Sequence, residues 1–323
     1  MMTQRRPLGA TDIRISPIGL GCWQFSEGKG IIGGFWEALP REEVREIVGV
    51  SMEEGINWFD TAEAYGWGAS ERGLSRALLE LHVEPGEIVV ATKWFPLMRT
   101  TRSLRRTIED RLRNLSPHAI DLHQVHNPFS LASVKSQMNA MADLVEDGAI
   151  RTVGVSNFPV GMMRRAHAAL KARGHALAAN QVHYSLLHRN IERNGVMEAA
   201  KQLGITIIAY SPLAQGILSG KYHHDSASIR DRPGPRKWMP AFKRKGLEKS
   251  RPLVETLREV GERHTATPAQ VALNWLCAFH GDTVVAIPGA SNVEQARSNA
   301  TAMDFVLSGE ELERINKVAW EVA

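Results

Sequence analysis

Cysteine is almost absent from this sequence: Cys22 and Cys277 are the only two in 323 residues. They are too few for a disulfide framework and share no metal-ligand spacing. No cluster of histidines and carboxylates stands at such spacing either, so no metal is expected. Long apolar runs are missing as well. None approaches the length of a membrane-spanning helix, and the polar start from Met1 to Pro7 lacks the apolar centre of a secretion signal. Neither sign of charge is in large excess, because 39 Lys and Arg meet 35 Asp and Glu for a net +4. That balance points to no dedicated polyanion partner. Together these absences predict a soluble protein of a reducing cytoplasm, with no nucleic-acid, membrane or metal partner, and leave the oligomeric state open. One further absence bears on the fold. Gly19-Leu20-Gly21 is followed by Cys-Trp-Gln, so the first unit carries no Gly-x-Gly-x-x-Gly fingerprint of a Rossmann domain.

What is present is a hydrophobic content of 43%, ample for a large core, and a regular alternation of patterns. Arg5 to Leu8 and Ile13 to Ile15 flank Gly9-Ala10-Thr11-Asp12 and read as a small hairpin. Ile18 to Gly21 is a short strand whose glycines imply that something presses close to its backbone. A loop with Trp23, Phe25, Gly28, Gly30, Gly33, Gly34 and Trp36 follows, aromatic enough to form a pocket wall. Helical periodicity then runs over about 41–54, 70–82, 100–114, 131–147, 159–173, 192–203, 250–264 and 267–280, and β-rich runs over 56–60, 87–92, 119–125, 151–155, 178–182, 205–210 and 283–287. Strands alternating with helices argue for βαβ units and a parallel sheet. Eight units in a chain of this length fit a closed (β/α)8 TIM barrel spanning 1–323 as one domain, with a short N-terminal β-hairpin.

Chemistry in such a fold gathers on the loops at the carboxyl ends of the strands. The second strand ends at Asp60, with Tyr65 just beyond; the third ends at Lys93; the fourth ends at His126-Asn127-Pro128. Taken singly, Asp60 reads equally as a strand-end cap and Tyr65 as a half-buried loop aromatic. Taken together, adjacent strands deliver an acid, a lysine, a histidine and a tyrosine to one end of the sheet. A half-buried Lys93 needs a partner, and Asp60 is the obvious one. A cationic Lys93 beside Tyr65 would draw the phenol down from its usual value of about 10. A phenol so tuned can move a proton near neutral pH, and His126 can donate to an oxygen on which negative charge builds. His123, three residues earlier on the same strand, faces the other side of the sheet. His82, His118, His167, His175, His223 and His224 fall on helix ends or polar loops and read as solvated.

Asp60-Thr61-Ala62-x-x-Tyr65-Gly66, the strand-end Lys93 and Asp121-Leu122-x-x-Val125-His126-x-Pro128 resemble the signatures of the aldo-keto reductases. So do Gly154-Val155-Ser156-Asn157-Phe158, Asn180-Gln181-Val182, Ala209-Tyr210-Ser211-Pro212-Leu213 and Ile287-Pro288-Gly289-Ala290. The matches run in order from about Leu8 to Val318, nearly the whole chain. The resemblance implies a (β/α)8 barrel that holds a nicotinamide cofactor, NADPH with NADH possible, and reduces a small-molecule carbonyl substrate. By matching position, Asp60, Tyr65, Lys93 and His126 would be catalytic, with Tyr65 the general acid. Ser156, Asn157 and Gln181 would hold the nicotinamide carboxamide and Tyr210 would stack on its ring. Trp23 would face the cofactor, and the segment from Ser211 to Leu218, including Leu213, Gln215 and Gly216, would wrap the pyrophosphate. Each has a plainer reading: Asn157 as a turn former, Gln181 as a satisfied core amide. The resemblance extends to potassium-channel β subunits, so a redox-reporting cofactor module is the alternative.

Four departures from the family pattern stand out. Asn127 follows the histidine where an aromatic residue is usual. The stretch from Lys221 to Arg251 carries Arg230, Arg232, Arg236, Lys237, Lys243, Arg244, Lys245 and Lys249, either a solvated loop or a lid that attracts phosphates. The last helix, about Ser308 to Glu321, almost reaches Ala323, so the long C-terminal loop of many members is absent. Members that grip the 2′-phosphate tightly carry a Lys-Ser pair and an arginine where this chain has Gly289, Ala290 and Gln295. What remains for an anion is Ser291 and the start of a helix over about Asn292 to Ala300. Gln295 and Asn299, four apart, could reach the adenine, while Arg297 points away to solvent.

Overall fold

Eight parallel strands form the barrel: β3 (Leu20–Gly21), β4 (Trp58–Asp60), β5 (Val89–Trp94), β6 (Leu122–Val125), β7 (Thr152–Ser156), β8 (Leu177–His183), β9 (Thr206–Tyr210) and β10 (Val284–Ala286). Neighbours in the chain are neighbours in the sheet, and parallel bridges from Ile18 to Ala286 and from Gly21 to Gly289 close the first strand onto the last. The computed structural model describes residues 5–30, 35–225 and 238–323. Helices α1 (Arg41–Glu53), α2 (Ala69–Glu80), α3 (Thr101–Leu115), α4 (Val134–Glu146), α5 (Val160–Lys171) and α6 (Val196–Leu203) each follow a strand. Helices α7 (Arg244–His264) and α8 (Pro268–Ala278) lie between β9 and β10, after one helical turn at Lys221–His224; α9 (Val293–Ala300) and α10 (Gly309–Val322) follow β10. No described helix is long and apolar enough to cross a membrane.

Period-two alternation divides the strand residues between two cores. Outward residues such as Phe59, Val90, Val125, Val153 and Ile207 pack under the helices. Inward residues Trp58, Val89, Ala91, Leu122, Ala179, Ile208 and Val285 fill the barrel. The amino end of the barrel is closed by the expected hairpin, β1 (Arg6–Pro7) paired antiparallel with β2 (Arg14–Ile15). Its Leu8, Ile13 and Ile15 join the inward core, and the buried Arg6 guanidinium donates to the carbonyls of Cys277 (2.6 Å) and Val284 (2.9 Å). With that end plugged, a ligand can enter only from the carboxyl end.

The close approach expected at the first strand is present. A Cβ on Gly19 would fall 2.3 Å from the Trp58 indole, and one on Gly21 2.9 Å from the Ile287 carbonyl oxygen. Several expected boundaries shift. β5 runs to Trp94, so Lys93 lies within the strand and not after it. The helix expected over 192–203 is a turn at Asn190–Arg193 and then α6, separated by the left-handed Gly195 (φ 84°). α7 begins at Arg244, six residues before the expected start at 250, and carries Pro252 within it. Two residues expected elsewhere are buried: Phe25 faces the outer core, and His118 is enclosed with neither ring nitrogen hydrogen-bonded.

Candidate active site

Inward alternation carries polar residues to the carboxyl end of the barrel. Register aligns Asp60 with Ala91, Lys93 with Gln124, Gln124 with Gly154, and Ser156 with Gln181. Asp60, Lys93, Gln124 and Gln181 therefore share one interior layer. Above it opens a cavity of about 760 Å³. Its wall includes Asp60, Tyr65, His126, Trp23, Ser156, Asn157, Gln181, Tyr210, Ser211, Leu213, Gln215, Gly216, Gly289, Ser291, Gln295 and Asn299. Every residue given a catalytic or cofactor-holding role from the sequence is thus on that wall except Lys93, which lies beneath it at 0% exposure. Lys93 Nζ is ion-paired to Asp60 Oδ1, donates to the Thr61 carbonyl at 2.8 Å and reaches Tyr65 Oη at 3.5 Å. Asp60 Oδ2 accepts from the amides of Gln124 and Gln181, each at 2.9 Å.

Burial works against the Lys93 ammonium, but the attraction of Asp60 and then of Tyr65 more than offsets it, and its pKa is raised. The lowering expected for Tyr65 is not the net result. Burial pushes the phenol above its ordinary value; Lys93 pulls it down, and Asp60 pushes it further up. Sequence shows the neighbouring charges but not the depth of the ring, which stacks against Trp23 at 6.0 Å and meets the His126 ring edge-on at 5.7 Å. Burial, with the Lys93 charge adding to it, lowers His126 to about 3, so its imidazole is neutral at pH 7. His126 Nδ1 has no hydrogen-bond partner. His123 faces outward as expected, toward Arg111 on α3, and is likewise lowered to about 3, chiefly by burial.

A second wall is built from strained backbone. Asn157 (φ 58°), Ser211 (φ 51°) and Gln215 (φ 56°) are left-handed non-glycine residues on the cavity, and each such residue costs about 1–3 kcal/mol. Asn157 Oδ1 accepts from Tyr210 Oη at 3.1 Å, and its amide donates to Ser156 Oγ at 3.1 Å. The Tyr210 ring is backed by His183 (5.3 Å, 11°), itself stacked on His188 (3.9 Å, 16°). Trp23, Phe35 and Trp36 form an aromatic cluster on the opposite side, with Phe35 at 5.2 Å and Trp36 at 6.0 Å from Trp23.

The third wall is built at α9. Two N–H groups at its start have partners within the chain: Gln295 Oε1 accepts from the Ser291 N–H (3.0 Å) and Asn292 Oδ1 from the Gln295 N–H (2.8 Å). The helix start caps itself. Asn299 donates to the Gly289 carbonyl at 3.2 Å. Arg297 is off the cavity as expected, but pairs with Glu54 of α1. Arg230, Arg232, Arg236 and Lys237 lie outside the described residues; Lys243, Arg244 and Lys245 are exposed at the start of α7 and do not line the cavity. Among the described residues, Lys221 is the one lysine or arginine that does.

The sequence reading missed Gln24, Gln124 and Glu294. Gln24 is buried beside Gly289, where a Cβ would fall 2.2 Å from its amide nitrogen, and its Oε1 has no partner. Glu294 lines the α9 wall. Only Gln124 carried a usable signal: it stands two residues before His126 and so on the same face. Among the described residues no group of three or more His, Cys, Asp or Glu is placed to hold a metal ion.

The sequence matches the profile of the Aldo/keto reductase family over residues 17–319. It is 39% identical over 307 residues to an uncharacterized oxidoreductase of Mycobacterium tuberculosis, covering 95% of this chain and 90% of that protein. It is 32% identical over 321 residues to the chloroplastic pyridoxal reductase of Arabidopsis thaliana, covering 96% of this chain and 84% of that one. The fold superposes with a TM-score of 0.75 on an aldo/keto reductase from Klebsiella pneumoniae in complex with NADP and acetate, at 26% identity, covering 98% of this chain and 95% of that one. An acid, a buried lysine, a phenol and a neutral imidazole meet at the carboxyl end of a closed parallel barrel, in a chain matched nearly end to end: it belongs to the aldo/keto reductase family.

Proposed function

We propose that the protein reduces aldehydes or ketones to alcohols with NADPH, using Tyr65 as the general acid. The observation that carries this is the wholly buried Lys93, paired to Asp60 and within 3.5 Å of the Tyr65 oxygen on the cavity floor. The cavity suits a nicotinamide dinucleotide. Ser156, Asn157 and Gln181 offer hydroxyl and amide groups that complement a carboxamide, Tyr210 offers a ring face, and the strained turn at Ser211 to Gly216 would follow the pyrophosphate. Unpartnered oxygens on Gln24 and Gln215 are acceptors that ligand hydroxyls can satisfy.

When bound, that cofactor supplies the hydride that reaches the carbonyl carbon. The protein supplies the proton and the field. A phenol raised by burial stays protonated at neutral pH, ready to give its proton to the carbonyl oxygen. The Lys93 ammonium, held cationic by Asp60, stabilises the phenolate left behind. The neutral His126 ring can donate an N–H to the same oxygen and orient it. Trp23, Phe35 and Trp36 favour a flat, small substrate, so aromatic aldehydes, pyridoxal among them, head the panel.

The test is oxidation of NADPH by the purified protein with that panel, alongside Tyr65→Phe. General acids contribute about 10²–10⁴-fold, so Tyr65→Phe should lose more than nine-tenths of kcat while binding NADPH nearly as well. A variant keeping a larger share excludes Tyr65 as the acid. Tight NADPH binding with no turnover on any carbonyl would favour the redox-reporting module instead.

A further inference from the structure

The Asp60 carboxylate is shared three ways: Oδ1 pairs with Lys93, and Oδ2 accepts from Gln181 Nε2 and Gln124 Nε2. Gln181 Nε2 also donates to Gln124 Oε1 at 3.3 Å, closing a triangle of one carboxylate and two amides. Gln124 is itself fully buried and does not line the cavity, so it meets no reacting atom.

Chemistry sets the sense of this triangle. A carboxylate only accepts, so both amides turn their NH2 groups to it. The Gln124 carbonyl then faces Gln181 and engages the same NH2 group. Gln181 keeps its Oε1 for the cavity it lines, and an acceptor there matches the NH2 of a carboxamide. The backbone makes room for Gln124: on the adjacent strand a Cβ at Gly154 would fall 2.9 Å from Gln124 Cγ and 3.1 Å from Leu122 Cδ1.

We propose that Gln124 is a positioning residue that ties cofactor docking to proton donation, through Gln181 on one side and through Asp60 and Lys93 on the other. The proposal rests on the carbonyl-reductase reading above. Of the other groups facing Tyr65, burial raises the Cys22 thiol and the Tyr210 phenol and lowers the His126 imidazole, so these stay neutral and the Lys93–Asp60 ion pair dominates the field on the phenol. Removing one donor from Asp60 leaves more of its negative charge for Lys93. The ammonium is then held more tightly to the carboxylate and assists the phenol less.

The experiment uses the full chain and Gln124→Met, which keeps the volume and removes both hydrogen bonds. Gly154→Ala is the second variant; it displaces the Gln124 side chain without removing its amide group. Two readouts are taken: the pH dependence of kcat, and the Kd values of NADPH and of its 3-acetylpyridine analogue, which lacks the carboxamide NH2, from tryptophan quenching. The native protein should favour NADPH over the analogue by about tenfold, the order of one hydrogen bond. Both variants should bring that ratio within about twofold, lower kcat by about tenfold and move the basic limb of the pH profile upward. A ratio and a pH profile that both stay native in the folded variants overturn the role of Gln124 and leave the functional reading standing. A native protein that binds neither dinucleotide overturns the functional reading, and this inference with it.

Discussion

His123 and His126 stand three residues apart and face opposite sides of the barrel wall, yet burial lowers both to about 3. Between the ordinary histidine value of about 6.5 and that figure, the unfolded chain binds a proton at each site and the folded chain does not. Stability is therefore full above the upper value and is lost as pH falls through the window. Each histidine contributes a slope of up to about 1.4 kcal/mol per pH unit there. His123 lies outside the cavity, so His123→Asn isolates the effect. Melts of native and variant protein between pH 7 and pH 4 should diverge, the variant losing less stability on acidification; parallel curves would show that His123 protonates in the folded state. The same pair marks what was readable at this scale. Spacing put the two histidines on opposite faces, and strand-end position chose His126 as the inward one and found Asp60 and Lys93. The net shift of Tyr65 was not readable, because it depends on burial against Trp23. Gln24 was not either, since a polar residue in a loop does not announce what faces it, whereas the spacing of Gln124 from His126 did.

The elements were read well where pattern and punctuation agree and less well at their ends. Eight strand–helix units and the hairpin are as expected, because alternation and turn residues are local signals. The extension of β5 past Lys93 and the early start of α7 are set by neighbours: the one by pairing with β6, the other by packing ahead of a proline. At α9, Asn292 and Gln295 take up two N–H groups of the expected anion site, a pairing that spacing alone does not show. The hairpin offers a direct test of an element's worth. Gly9 adopts φ 57°, donates to Thr206 Oγ1 at 2.7 Å, and leaves no room for a Cβ, which would fall 2.4 Å from the Ala178 carbonyl oxygen. Left-handed strain and overpacking together should make Gly9→Ala less stable by about 2–4 kcal/mol. The hairpin closes the end of the barrel opposite the cavity, so the Kd of NADPH, measured well below the melt, should not change. A native-like melt, or a weakened Kd in folded protein, would contradict this division between the two ends.

At the scale of the whole molecule, the remaining question is how the charges on the cavity meet a dinucleotide. The family's usual cationic clamp for a 2′-phosphate is absent from Gly289, Ala290 and Gln295 in the sequence, and the described structure does not restore it at α9. Arg297 is held by Glu54, the Ser291 N–H by Gln295, and Glu294 brings a carboxylate to the same wall. Lys221 lines the cavity beside Gly216 and Tyr222, three residues beyond the segment expected to follow the pyrophosphate, which both cofactors share. A hydrogen bond to a charged group is worth about 1.5–3 kcal/mol, so losing one such contact removes about ten- to a hundredfold of preference. NADPH should therefore be favoured over NADH by less than about a hundredfold in kcat/KM, the steady-state measure of discrimination. What preference remains should come from longer-range attraction and shrink as salt screens it. Measuring kcat/KM for both cofactors at low and high ionic strength decides the point. A preference beyond about a thousandfold that survives high salt would require a direct cationic contact to the 2′-phosphate, which no described residue of the α9 wall provides.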